Sequence, residues 1–534
     1  MGVRTYLNRL RQVFIFSLLA FASNFEYGFS TTYLNTPVEQ FKVFLNESFE
    51  KMDKTMTETG YSMLWNLILN IWFVGFFIGI WFSPLLNDRF GRKVGFLIGC
   101  GIALVGAVLR LLAVCFYRPE LLIIGRFLTS MCEAVTYQSC ILYLQECSPT
   151  AKRGMMTFLS EIAYSSMCLF GMMLGTRQLL GDDLVALMTF AVPFCTFFFV
   201  ALFFLPETPK FLLIARSNRP AAERSVRFYH GSDSDVDMVL KEIVMEAEDE
   251  TQAVASWSSI KEIFTEPHLR RAVILSISAL QNTVALWSML LSSTYFLEQI
   301  DLDEAVASWS STAMTLGYVL GTIAGSTWIE RFGRRTILLS FTIVDNMVLV
   351  LYVVCAELSS LVDQFKYGCL VLLILYAFIY GSGVGPISWF ISSELVPQKY
   401  RSITQSTCYS LNTIIVVILT FSILPLYGAV GNYAFLILYT IPSVISIFIL
   451  YFYLPETKEI RMQIAPLLCA SRSDVATTFV TSGFGSSNAF NGQHPVRWLL
   501  VLDACARLRQ LTVSFDVLRG MQLSNFLRHC LKLG

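Results

Sequence analysis

Acids and bases set inside long apolar stretches carry the first chemical signal in this sequence. Glu26, Arg110, Arg126, Glu133, Glu161 and Asp345 all stand in runs otherwise fit to cross a bilayer. A charge there is costly and marks a functional site by default. A partly desolvated carboxylate holds a proton, or accepts from a solute hydroxyl or a cationic group. Glu26 and Glu161 are therefore the candidate proton site, with Ser30 four residues beyond Glu26 on the same helical face. Arg110 lies near a helix end, where it is expected to snorkel to the interface. For Glu133 and Asp345 the plain reading is hydrogen bonding between helices. An enzyme finds no support: there is no phosphate-binding loop, no metal-ligand cluster and no nucleophile beside a base. The 13 Cys form no CxxC pair and have no His at ligand spacing. They read as small buried hydrophobes, and neither a metal nor another cofactor is expected.

The elements that must position these charges are membrane helices. The chain has 534 residues, 55% hydrophobic and only 15% charged, whereas soluble domains run near a quarter charged. Zero net charge gives no hint of nucleic acid. With about 20 apolar residues needed per crossing, spans are expected near 12–33, 62–86, 94–115, 120–146, 154–177, 184–206, 270–297, 307–330, 336–358, 366–393, 402–425 and 432–454. The first follows Arg4, Arg9 and Arg11 without a small-residue cleavage site, so it reads as a spanning helix and not a signal peptide. Lys and Arg concentrate in the short loops on the side of Arg89, Lys152 and Arg331, which places both termini in the cytoplasm. Asn46-Glu47-Ser48 then falls outside, as a glycosylation site at Asn46.

The chain also repeats itself. Arg89-Phe90-Gly91-Arg92-Lys93 recurs as Arg331-Phe332-Gly333-Arg334-Arg335. Glu146 with Arg153 recurs as Glu394 with Arg401, and Pro206-Glu207-Thr208 as Pro455-Glu456-Thr457. Three motifs in one order on one side predict two parallel six-helix halves. The expected divisions are a bundle at 1–216, a cytoplasmic loop at 217–268, a second bundle at 269–460 and a cytoplasmic tail at 461–534. Each glycine permits a tight turn. The flanking cations have Asp88, Glu146, Glu207, Glu330, Glu394 and Glu456 to pair with. Simple anchoring at the cytoplasmic face is one reading. A latch of weak pairs that holds the halves together and must open is the favoured one.

These motifs, joined by Gly125-Arg126-Phe127, Gly383-Val384-Gly385-Pro386 and Ser393-Glu394-Leu395-Val396-Pro397-Gln398, resemble the sugar porters of the major facilitator superfamily. The resemblance is greatest to the animal facilitative hexose transporters and covers about residues 10–460. It implies an all-α membrane protein of twelve helices in two pseudo-repeats, moving a hexose or related polyol. It also implies a pocket of amides and an indole. Gln281 matches the first glutamine of that pocket, with Asn282 at the second; Trp389 and Asn412 match a tryptophan and an asparagine. Four positions depart: Glu161 replaces a glutamine, Trp287 and Tyr318 each an asparagine, and Gly381 an acid. Pro84 replaces a glycine. Proton-coupled relatives carry an aspartate where Ser30 stands, which favours uniport.

Three functions stay open: a facilitative uniporter, a proton-coupled carrier of a sugar-like or charged solute, and a non-transporting solute sensor. The 217–268 loop fits short helices bracing the halves, or a plain linker. In the tail, 473–491 is expected to be disordered. There 496–511 fits a basic amphipathic helix on the inner leaflet, or a segment without a role.

Overall fold

The computed structural model describes residues 3–53, 55–147, 153–231, 236–250, 262–396 and 398–455. The tail expectations, and those for Lys152 and Glu456, lie outside the described residues. Described segments are helical, as backbone in hydrocarbon must be to satisfy its own polar groups. The first half runs α1 (Val3–Thr32), α2 (Val38–Glu50), α3 (Glu58–Phe90), α4 (Arg92–Phe116), α5 (Pro119–Cys147), α6 (Arg153–Leu174) and α7 (Leu184–Phe203). After α8 (Arg219–His230) and α9 (Val236–Glu250) come α10 (Pro267–Gln281), α11 (Val284–Glu298), α12 (Glu304–Phe332), α13 (Arg334–Leu358), α14 (Gln364–Ile379), α15 (Gly385–Glu394) and α16 (Gln398–Val430). A last span, Tyr433–Tyr453, ends in α17 (Ile441–Tyr453).

With α10 joined to α11 and α14 to α15, this makes twelve crossings. Nine helical stretches among the described residues are long and apolar enough to span, and α6 adds a shorter one. The remaining two, α5 and α12, are diluted by Arg126 and Glu133 in one and by Ser, Thr and Gly in the other. Their polar groups point inward: Arg126, Glu133, Ser311 and Thr315 are buried. Large apolar side chains such as Phe197, Phe204, Ile445 and Phe448 are exposed instead, the inverse of a soluble protein and right for a lipid-facing surface.

Internal symmetry is visible in the backbone. The turn from α3 to α4 passes through Gly91 at φ 108° and ψ 159°, and that from α12 to α13 through Gly333 at φ 86° and ψ 161°. Such conformations are close to glycine-only. Two spans are broken where the central cavity lies. Asn282 and Thr283 interrupt α10 and α11, and a wide π-type turn, Tyr380–Val384, separates α14 from α15. Irregular backbone at membrane depth is tolerated where protein or a cavity surrounds it.

One element was not expected. Within the polar segment after α1, Phe41, Phe44 and Leu45 are spaced to form a single apolar face, and α2 folds with all three buried.

Candidate functional site

Midway along the helices, both halves contribute to one cavity. Tyr27 of α1, Tyr137 of α5, and Glu161 with Tyr164 of α6 line one side. Leu286, Trp287 and Leu290 of α11, Tyr318 of α12, Tyr380 of the wide turn and Trp389 of α15 line the other. The rings nearly fill it, leaving about 10 Å³, room for one water at most. Any solute must therefore part the halves to enter. Glu161 and Tyr164, three apart on α6, share a face. Tyr318 donates its hydroxyl to Glu161 Oε1 at 2.5 Å. Trp287 packs 5.6 Å from Trp72, 5.6 Å from Phe73 and 6.2 Å from Tyr164, ring centre to ring centre.

Four residues singled out in the sequence, Glu161, Trp287, Tyr318 and Trp389, thus meet in one place. Gln281, Asn282 and Asn412 do not line the cavity. Asn282 donates to the Ser278 carbonyl at 3.1 Å and accepts from Ser443 at 2.6 Å, so its amide serves the break between α10 and α11. Gln281 Nε2 and Asn412 Oδ1 are buried with no hydrogen-bond partner. Tyr27, Tyr137, Tyr164 and Tyr380 were missed. The available signal was an aromatic on the Glu161 face in α6, and one beside the Gly381 departure in the wide turn after α14.

Glu26 and Arg110 correct two expectations. Arg110 is 1% exposed and does not snorkel. Its Nη2 lies 2.9 and 2.7 Å from the two Glu26 oxygens. The Cys195 thiol also donates to Glu26, at 2.9 Å. Glu26 therefore turns to α4 and α7, away from the cavity, because a buried arginine there offers its charge a partner. Glu133 takes the face beside Ser30: Ser30 Oγ donates to it at 2.6 Å, and Trp72 Nε1 donates to Ser30 at 3.1 Å. Arg126 donates to the carbonyls of Ile68 at 2.8 Å and Ser30 at 2.9 Å.

The repeated charges pair within halves. Arg92 binds Glu146 at 2.9 Å and approaches Asp88 at 3.7 Å. Thr208 donates to Glu146 at 2.5 Å. Glu207 accepts the Lys93 backbone N–H at 3.0 Å, placing a carboxylate at the N-terminus of α4 where the helix dipole favours it. Burial pushes the Glu207 carboxyl above its ordinary range, and its backbone hydrogen bonds partly offset this. Arg89 lies over the Phe90 ring. In the second half Arg334 meets Glu394 at 3.6 Å, and Arg331 belongs to the same turn. The side chains of Arg153, Glu330 and Arg401, and residue Glu456, lie outside the described residues. Among the described residues the ion pair that crosses between halves is Arg177 with Glu304, 2.8 Å, at the opposite end of the bundle. Among the described residues, then, Arg92 and Arg334 each meet an acid of their own half.

Twelve helices in two matched halves, closed around a central cavity and turned at repeated glycines, define a membrane transporter of the major facilitator fold. The chain belongs to the family described as Sugar (and other) transporter, matched over residues 16–466, and is no enzyme. It is 28% identical over 461 residues to mouse solute carrier family 2, facilitated glucose transporter member 7, covering 84% of this chain and 88% of that one. To horse member 5 it is 29% identical over 453 residues, covering 83% and 88%. To rabbit member 3 it is also 29% identical over 453 residues, covering 84% and 90%. The fold matches the proton:xylose symporter XylE bound to 6-bromo-6-deoxy-D-glucose at a TM-score of 0.69 and 15% identity, covering 86% of this chain and 99% of that one. It also matches a partially occluded, inward-open XylE from E. coli at 0.64 and 15% identity, covering 84% and 99%.

Proposed function

We propose that this protein is a facilitative uniporter of a hexose or related polyol, working by alternating access around the Glu161–Trp389 cavity. The position of that cavity carries the reading, since both halves wall it and neither contains it alone. The glucose-transporter relatives of mouse, horse and rabbit supply the solute class. Trp389 offers a face for the apolar side of a sugar ring, and the tyrosine hydroxyls offer donors and acceptors. Gln281 and Asn412, whose amides each keep an unmatched atom, join the site as the halves part. The halves at 1–216 and 269–460 move as bodies, each clasped at its glycine turn, with the loop at 217–268 bracing them. The membrane is the plasma membrane, both termini are cytoplasmic, and Asn46, exposed on α2, carries a glycan.

One observation favours a second reading, proton coupling: Glu133 stands at 2.6 Å from Ser30, beside Arg126. Uptake of labelled hexoses and polyols by purified protein in liposomes, with and without an inward proton gradient, decides. Saturable uptake indifferent to the gradient is the expected result. Gradient-driven accumulation that Glu133→Gln abolishes would establish the second reading. Absence of flux for every solute, from folded protein, would sink both and leave a sensor.

A further inference from the structure

Glu161 is 9% exposed and turned into the cavity that the two halves enclose. Among the described residues its one hydrogen bond comes from Tyr318, and no Lys or Arg forms an ion pair with it. Glu26 and Glu146, by contrast, have Arg110 and Arg92 within 2.9 Å. A carboxylate held in an apolar interior without its cation is unfavourable, unless a ligand brings the missing charge.

The walls define what kind of cation fits. Tyr27, Tyr137, Tyr164, Trp287, Tyr318 and Tyr380 surround the acid. Tyr27 and Tyr164 lie 4.6 Å apart and Tyr318 and Tyr380 5.6 Å, ring centre to ring centre. Trp389 completes the box. Aromatic faces around one acid attract an organic cation through their ring quadrupoles, with indole the strongest. A bare metal ion would want several oxygen ligands in place of rings. A neutral hexose brings no charge and leaves the Glu161 carboxylate without its cation. Aromatic faces also stack on the apolar side of a sugar ring, so a hydroxylated ring bearing an ammonium satisfies both the walls and the acid.

We propose that the solute carried here bears a cationic nitrogen, as an amino-substituted hexose or polyol does, with Glu161 as its counter-ion and the surrounding rings as its cage. This rests on the cavity being the transport site, and it sets the charge of the solute.

The test compares uptake of D-glucosamine and D-glucose, matched in ring and differing in the ammonium, by the full chain in liposomes. The amine is expected to be taken up at least tenfold more efficiently at low concentration. That preference falls at least tenfold in Glu161→Gln and survives in Glu161→Asp, both variants first checked for a monodisperse folded peak. Equal or better uptake of glucose, or a preference unchanged by Glu161→Gln, overturns the cationic solute and leaves the hexose carrier standing. Uptake of the amine alone, lost in Glu161→Gln, upholds the proposal and removes the neutral hexose as cargo. If neither probe moves with folded protein, the carrier reading fails and takes this inference with it.

Discussion

A glutamate and an arginine buried side by side are tolerable only while each holds the other. Glu26 and Arg110 are both buried and joined through both carboxylate oxygens. Breaking such a pair from one side strands a charge and costs about 3–5 kcal/mol, whereas replacing both partners with neutral groups is often close to neutral. Arg110→Met is therefore expected to lower the unfolding midpoint of detergent-purified protein sharply. Glu26→Gln with Arg110→Met should recover most of the loss; a double variant no better than the single would refute the mutual dependence. Trp287 poses a different question, because its indole packs among Tyr27, Trp72, Phe73 and Tyr164. Trp287→Ala is expected to cost about 3–5 kcal/mol by leaving a void. Trp287→Phe should cost clearly less, and equal midpoints for the two variants would count against a packed core. The sequence made Glu161, Trp287, Tyr318 and Trp389 visible because each sits where the family pattern draws attention. Tyr27 and Tyr137 are single tyrosines in long apolar runs and carry no spacing signal. The Glu26–Arg110 pair joins residues 84 apart, which only tertiary packing reveals.

Helices of this bundle are legible one by one because the hydropathy ruler is strong, and α5 and α12 are the two where its signal is diluted by polar residues. Their polar groups turn to other protein, while Ile124 of α5 and Leu316, Leu320 and Ile323 of α12 stay exposed. α2 escaped notice because its three buried aromatic and aliphatic residues are diluted by charge over 13 residues. What the repeat could specify in advance was the glycine turn, and the structure gives the reason. A Cβ on Gly91 would meet the Glu207 carboxylate and the Phe211 ring, at a positive φ that side chains rarely adopt. Gly91→Ala and Gly333→Ala are each expected to destabilise by about 1–3 kcal/mol. Gly428, inside α16 with nothing within 4 Å, supplies the control. Gly428→Ala should be neutral or stabilise by up to ~1 kcal/mol, because alanine favours a helix. Unfolding midpoints of the three variants check the contrast, and a loss at Gly428 equal to that at Gly91 would remove the backbone argument.

Transport by alternating access requires contacts across the halves that are firm enough to hold one state and weak enough to give way. At the end opposite the glycine turns, an exposed ion pair, an exposed hydrogen bond from Trp309 to Gln178 and a buried amide all cross between halves. The Arg177–Glu304 pair is half-exposed and screened by solvent and salt, so it contributes little. Asn35 is fully buried. Its Nδ2 donates to Ser293 at 2.8 Å and the Met289 carbonyl at 3.3 Å, and its Oδ1 accepts the Thr294 backbone N–H at 3.1 Å. Truncating it leaves buried groups unsatisfied, at about 1–3 kcal/mol each, and about 1.4 kcal/mol already shifts a two-state population tenfold. Asn66, donating to the Phe421 carbonyl, and Thr420, donating to Asn70 at 2.7 Å, hold the neighbouring seam. Asn35→Ala is thus expected to raise the fraction open at this end at least tenfold, while Arg177→Gln changes it little. Spin labels on Val185→Cys and Leu361→Cys, exposed in different halves at this end, would report the opening as a longer distance, with exposed Cys115 and the tail residues Cys469, Cys505 and Cys530 replaced by Ser. An equal response from Arg177→Gln would mean that surface charge, and not the buried amide, sets the balance between states.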